Sequence, residues 1–381
     1  MSGARCWLVG LAAVALLLQA APAQACGGGV AREFVGISGQ RVLFSVRKDS
    51  TEAVLELSVP EAPGDWGVIL PVPVEPTLDP DPVPTSEIDR FDAFTQVAHE
   101  SDAYGGCGCG AGAGDPGGDS KGVRASEPVD IGPVTATVLA ADDGSSLTAW
   151  LDENGFVVPA EEQPIVDEYV TTQTRFVVFK RSQASEPGSA SRVGVHMTLP
   201  GDHRMYPLRI SRVGAAPELA ITLWIAASEP VAPADPFVLL EADDLLKETD
   251  PYRTAVVRAV ADAGGHAFVR EGLFDRDTLA EQDGVYDGFY YTSVLGPRLA
   301  ALLDPGQRIT RFSTVIDRTQ LDTDAMFEAA PEPASASMLA PLPRGFDLTP
   351  WLLGLGVVAG WLRACGARFV TRGLGGRREP R

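Results

Sequence analysis

The sequence predicts an α+β fold: a largely antiparallel β-sheet with inserted helices, preceded by an N-terminal signal peptide and followed by a C-terminal transmembrane helix. Three observations carry this expectation. Short runs of alternating apolar and polar residues, bounded by turn residues, recur between Gln40 and Ile316, as half-buried strands require. A few stretches with apolar residues at helical spacing are inserted among them. Both ends of the chain are apolar, in a protein whose middle is acidic.

At the start, Arg5 supplies a positive charge and Trp7 to Leu18 an apolar run of 12 residues, too short to span a bilayer comfortably. Ala23-Gln24-Ala25 has the small-x-small pattern of a signal-peptidase site, so residues 1–25 read as an export signal and Cys26 as the first mature residue. "QRVLFSVR" (Gln40 to Arg47) and "EAVLELSV" (Glu52 to Val59) predict a hairpin with one buried face, leaving Glu56 and Ser58 on the other. "WGVILPV" (Trp66 to Val72) is a third strand, and the prolines of "PVPVEPTLDPDPVP" force an extended crossing after it. Ser86 is the expected cap of a helix that buries Ile88, Phe91, Phe94 or Thr95, and Ala98.

Residues 105–127 hold too much glycine to order themselves. "GPVTATVLA" (Gly132 to Ala140) is a strand. Ser146 then caps a short helix with Leu147, Trp150 and Leu151 on one face, stopped by Asn154-Gly155. "RFVVFKR", "RVGVHMTL", "PLRIS" (Pro207 to Ser211) and "ELAITLWIA" predict strands, "DPYRTAVVRAVADAGG" and "TSVLGPRLAALL" (Thr292 to Leu303) predict helices, and "RITRFSTVI" (Arg308 to Ile316) a last strand. The exported body is therefore drawn at 26–327, with an Ala/Pro linker over 328–347.

The other end carries 15 residues without a charge, Leu348 to Leu362. As a helix they reach about 22 Å, short of the ~30 Å hydrocarbon core. Arg363 can snorkel to the interface, which extends the expected transmembrane helix to 348–370. Trp351 and Trp361 sit near the ends of the run, where interfacial aromatics belong. The tail, 371–381, is basic, so the positive-inside rule places it in the cytoplasm and the body outside. The expected contact is membrane lipid through this helix.

The formal charge is -20; the signal removes one positive charge and the tail from Arg363 onward five net, six Arg against one Glu, so the body from Cys26 to Leu362 carries -26. That excludes nucleic acid as a partner, because nucleic acid is bound by clustered Lys and Arg that displace counterions. It also opposes adhesion of the body to anionic lipid. An envelope protein or a glycan stays open as partner.

Of 5 cysteines, Cys6 leaves with the signal and Cys365 lies in the tail. Cys26, Cys107 and Cys109 remain, an odd number in a compartment that oxidises thiols. The working expectation is a staple from Cys26 to Cys107 or Cys109. A redox-active Cys107-Gly108-Cys109 pair, a metal site and acylation of Cys26 are the alternatives. A structural zinc site wants four ligands and C-x-C supplies two, so neither a metal nor a cofactor is assigned. "GDSKG" (Gly118 to Gly122) fits the G-x-S-x-G of esterases and "GAGDPG" (Gly112 to Gly117) fits G-x-G-x-x-G. Both lie in the glycine stretch, without the strand and helix that give those motifs their geometry. His196 and His203 read as the polar residues of a turn around "LPGDHRMYP".

"DWGVILPVPVEPTL" with "IDRFDAFT", "IGPVTATVLAADDGSSLTAWLDENGFVVP" with "IVDEYVTTQTRFVVFK", then "YPLRIS" and "ITRFSTVIDRTQLDTDAMFE", follow one another in an order that resembles the bacterial domain-of-unknown-function family 2330. The start "ACGGGV" is similar too. The resemblance implies an exported envelope protein without an established activity. Joined to the ends of the chain, it gives the expectation of a membrane-anchored envelope protein with a binding or structural role; the alternative is a thiol–disulfide protein using Cys107 and Cys109.

Overall fold

The computed structural model describes residues 37–59, 63–97, 122–171, 174–182, 191–247 and 250–332, with the two-residue strands Ala23–Gln24, Gly28–Gly29 and Ala111–Gly112. It is an α+β fold of mostly antiparallel sheets. The main sheet runs, in spatial order, Val238–Glu241, Ala267–Asp275, Arg308–Asp317, Ala215–Ala227, Ile37–Val46, Ser50–Val59, Ser191–Pro200 and Thr77–Leu78. Its Ala215–Ala227/Ile37–Val46 and Val238–Glu241/Ala267–Asp275 pairs are parallel, and Ala23–Gln24 lies parallel to Ile37–Val46. The second sheet, antiparallel throughout, runs Val129–Ile131, Val134–Ala141, Arg175–Arg181, Gly67–Val72 and Gly28–Gly29, with Val123–Ala125 also on Val134–Ala141.

Alternation of side chains decides how these layers stack. Val42, Phe44, Leu55, Leu57, Val193 and Val195 point from the main sheet into one core, where they meet Val68, Leu70, Val177 and Phe179 of the second sheet. The same core continues under helix Tyr252–Asp262 through Ala255, Val256 and Val260. Ile69, Leu139, Phe176 and Val178 point the other way, against helices Gly144–Glu153 and Gln163–Thr171. On the far face of the main sheet, Leu43, Val54, Trp224 and Ile309 pack under helix Thr85–Thr95 through Ile88 and Phe91, and under helix Pro297–Leu302 through Leu299 and Leu302. Both sheets are thus covered by helices on their outer faces.

Several expectations change in detail. The polar face of the first hairpin is not solvent-facing: Glu56 is buried beneath helix Thr85–Thr95, to which Arg41 and Arg192 tie it through Asp89, and Glu52 is buried against Arg47, His196 and Thr198. That helix begins at Thr85 behind Pro84 without a side-chain cap, in place of the Ser86 cap; Phe94 is half-buried and Thr95 fully buried, while Ala98 lies outside the described residues. In helix Gly144–Glu153 the cap is Asp143, which accepts from the Ser146 N–H at 2.7 Å; Leu147, Trp150 and Leu151 are buried as expected, and Gly155 takes a positive φ of 85° after the Asn154 cap. Val123–Ala125, inside the glycine stretch, is a strand, since Val123 has a buried site against Ala141. "PLRIS" is no strand: Arg209–Arg212 is a 3-10 turn that buries Ile210 and Ser211. The helix expected over Thr292 to Leu303 is confined to Pro297–Leu302, with proline at its first turn.

No helix among the described residues is long and apolar enough to cross a membrane. The signal up to Pro22, the linker beyond residue 332, the 348–370 helix and the basic tail lie outside the described residues.

Candidate functional site

Helix Thr85–Thr95 closes over a seam of charge. Arg41, Glu56, Arg192 and Arg311 share the sheet face that carries Leu43, Val54 and Trp224, so strand alternation aims them at the helix. Asp89 and Asp92, one turn apart, meet them from above. Arg41 reaches Glu56 at 2.6 Å, Asp89 at 2.6 Å and Asp92 at 3.2 Å. Arg192 joins Glu56 at 2.9 Å and Asp89 at 2.6 Å. Arg311 spans Asp92 and Glu271, each at 2.6 Å, and its guanidinium lies 5.1 Å from the centre of the Trp224 ring. Glu271 also accepts from the Tyr252 hydroxyl at 2.9 Å and from Ser313 at 2.7 Å. Trp224 Nε1 donates to Thr95 Oγ1 at 3.0 Å.

Burial is deep at the centre: the Glu56 side chain is 1% exposed and that of Arg311 is 6% exposed. Burial alone would favour neutral groups. For Asp89 it works upward, but the hydrogen bonds from Arg192 and Arg41 outweigh it and hold the carboxyl below its usual value. For Arg41 burial works downward, and Glu56, Asp92 and Asp89 more than reverse it. Burial, then the Glu271 charge, raises the Tyr252 hydroxyl well above the ordinary tyrosine range.

Beside the seam sits a histidine clamp. His196 Nε2 is 2.9 Å from Glu52 Oε2 and its Nδ1 is 2.9 Å from Asp79 Oδ2. Thr198 donates to the same Glu52 oxygen at 2.7 Å, and Arg298 Nη2 to Asp79 Oδ2 at 2.9 Å. Each neutral tautomer leaves one bare nitrogen against a carboxylate oxygen. The carboxylates lie on opposite ring nitrogens, so they cannot close together on one metal ion. His203 is where the sequence put it, in the turn, bonded to the Pro200 carbonyl at 2.7 Å. His196 lies in the strand expected over "RVGVHMTL", and turn polarity does not account for it, since its side chain is buried between Glu52 and Asp79.

Above the seam stands the hairpin Gly284–Tyr286/Phe289–Tyr291. Its turn is Asp287-Gly288, both at positive φ, 49° and 77°, which suits a two-residue hairpin. Its base is braced on the helix: Arg90 lies 4.2 Å over the Tyr291 ring, and Gly284 packs so close to Phe94 that a Cβ there would meet the ring at 2.3 Å. Its tip is apolar and exposed: Val285 58%, Phe289 65%, Tyr290 64%. On the other side of the molecule, an open groove of about 500 Å³ runs between helices Gly144–Glu153 and Gln163–Thr171, lined among others by Thr148, Asp152, Val157 and Asp167.

Of the residues named from sequence, Glu56, Thr95 and His196 fall in or beside the seam. Cys26, Cys107 and Cys109, the disulfide or redox candidates, and Trp351, Trp361 and Arg363, the anchor residues, lie outside the described residues. The seam had a signal that went unread: charges at alternate positions of otherwise apolar strands, with opposite signs on neighbours, as in Glu52 and Glu56 against Arg192 and His196. The hairpin had one too, Asp-Gly flanked by aromatics in "VYDGFYY".

Fold and seam together define an α+β protein built on two principal sheets, the larger of them locked to its covering helix by buried ion pairs. The family described as "Uncharacterized protein conserved in bacteria (DUF2330)" matches residues 20–265, and the chain belongs to that bacterial family. The match takes in Arg41, Glu56, Asp89, Asp92 and Arg192, and ends before the hairpin and Arg311. No curated protein and no solved structure matches the chain.

Proposed function

We propose that the chain is an exported, membrane-anchored envelope protein whose body works by binding, with the hairpin Gly284–Tyr291 as its contact element. The signal, the apolar run and the arginine tail support export and anchoring. One observation carries the binding role: three large apolar side chains held in water at the tip of a braced hairpin. Solvated apolar groups gathered in this way mark interaction sites, and bracing lowers the entropy lost on contact. The seam serves this role mechanically. It fixes the helix on which the hairpin stands, and its charges are turned toward one another.

The test is photocrosslinking in intact cells. With a photoreactive phenylalanine analogue at position 290, the full-length protein is expected to form a discrete adduct with an envelope component. The same analogue at the exposed distant position 246 is expected to form none. Equal, diffuse labelling from both positions would refute the hairpin as contact element.

A further inference from the structure

We infer that the aromatic hairpin docks a basic segment of a partner protein, with lysine or arginine side chains lying over Phe289 and Tyr290 and their charges facing Asp283 and Asp287. The inference rests on the proposed binding role and names the chemistry of the partner. Three of the seven large apolar residues exposed among the described residues fall within these few positions, Val285 and Tyr290 on one face of the hairpin and Phe289 on the other, so both faces present apolar surface. Tyr290 pairs with Val285 and Phe289 with Tyr286 across the hairpin. The Tyr290 hydroxyl donates to Asp283, which steadies the ring and keeps a carboxylate beside it.

Charge decides the class of partner. Glu281 and Asp283, just before the hairpin, and Asp287, in its turn, are all exposed. The nearest cations are engaged below: Arg90 lies over Tyr291 and donates to the Val294 carbonyl at 2.9 Å, while Arg41 and Arg192 are held by Glu56 and Asp89. The outward field is therefore acidic, as is the whole body. Lipid phosphates meet repulsion there, and a neutral glycan gains stacking but leaves the carboxylates unbalanced. A cation over an aromatic face with carboxylates at its side satisfies both features.

The experiment uses the full-length protein in neutral detergent and a fluorescent ten-residue peptide of alternating arginine and glycine, at about physiological salt. A glutamate–glycine peptide and soluble fluorescent phosphocholine are the comparison probes. We expect saturable binding of the arginine peptide. Phe289→Ser with Tyr290→Ser should weaken it at least tenfold, and Asp283→Asn with Asp287→Asn at least fivefold. Asn is at home at the positive φ of position 287, so the turn survives. Asp243→Asn with Asp244→Asn removes the same charge elsewhere and should change affinity less than twofold. If the two charge variants weaken binding equally, the peptide reads only diffuse acidity and the inference is lost. Phosphocholine binding that the ring variant abolishes and the hairpin charge variant leaves unchanged overturns it in favour of a lipid headgroup. A position-290 adduct in cells without arginine-peptide binding leaves the binding role standing and removes the basic partner.

Discussion

A guanidinium as buried as that of Arg311 keeps its charge because two carboxylates, Asp92 and Glu271, sit 2.6 Å away on separate nitrogens. Removing one member of a buried set is costlier than the set is worth, since it strands the others. Arg311→Met is therefore expected to destabilise the fold by about 3–5 kcal/mol. Arg311→Lys, with one point charge, cannot occupy both positions and should recover only part of the loss. Urea unfolding of the two variants checks this, and a loss below ~1 kcal/mol for Arg311→Met would mean that water reaches the seam. Asp79 offers the pH test. Burial pushes its carboxyl up, but the hydrogen bonds from His196, the Asp81 N–H and Arg298 hold it down, from 3.8 to about 2. A carboxyl depressed in the folded state contributes stability above its unfolded pKa and loses it as pH falls through the folded one. The stability difference between wild type and Asp79→Asn should thus be full above pH 3.8 and shrink toward pH 2. A difference that is flat across that window would break the link between Asp79 and its partners. None of these roles could be read from single residues. Glu56 on an alternating strand looks solvated until the helix thirty residues later is laid over it.

At the scale of elements, periodicity was a good guide wherever one face alone was buried. Helix Gly144–Glu153 is the clear case: Leu147, Trp150 and Leu151 share a stripe, and all three are buried against Ile69, Phe176 and Val178. Trp150→Ala should cost about 3–5 kcal/mol by leaving a cavity, while the exposed positions Ala149, Asp152 and Glu153 tolerate change. A shift of less than ~1 kcal/mol in denaturant unfolding would place this helix outside the cooperative core. Strand Ala267–Asp275 was missed for the opposite reason. It is buried on both sides, and its bulge between Arg270 and Gly272 breaks the alternation that would have announced it. Short elements fixed by tertiary contact, such as the 3-10 turn Arg209–Arg212, carry no period at all. The hairpin Gly284–Tyr291 was legible from its turn, but not its exposure, because an aromatic run reads as core until its neighbours are known.

At the scale of the whole molecule, the proposed export and anchoring make their own predictions. Fifteen residues, 333–347, separate the described body from the apolar run at Leu348. Fully extended they span roughly 50 Å, so a body tethered this way stays close to the membrane while its hairpin can face elsewhere. A body charge of -26 makes the lipid surface a poor resting place and favours a standing, solvated orientation. The apolar run alone is short for a bilayer, so the proposed anchor requires Arg363 to snorkel to the interface. Two outcomes follow for the full-length chain and its truncation. With Trp351 to Arg381 deleted, the exported body should appear in the soluble fraction outside the cytoplasm, while the intact chain partitions with membranes and resists carbonate extraction. A cysteine probe at position 375 of the intact chain should be labelled only after the inner membrane is opened, because the arginines that follow the run hold the tail inside. If the intact chain is carbonate-soluble, the run is no anchor. If the tail is labelled from outside while the body is outside too, the run does not cross the membrane, and a basic segment of this same chain is then within reach of its own acidic body.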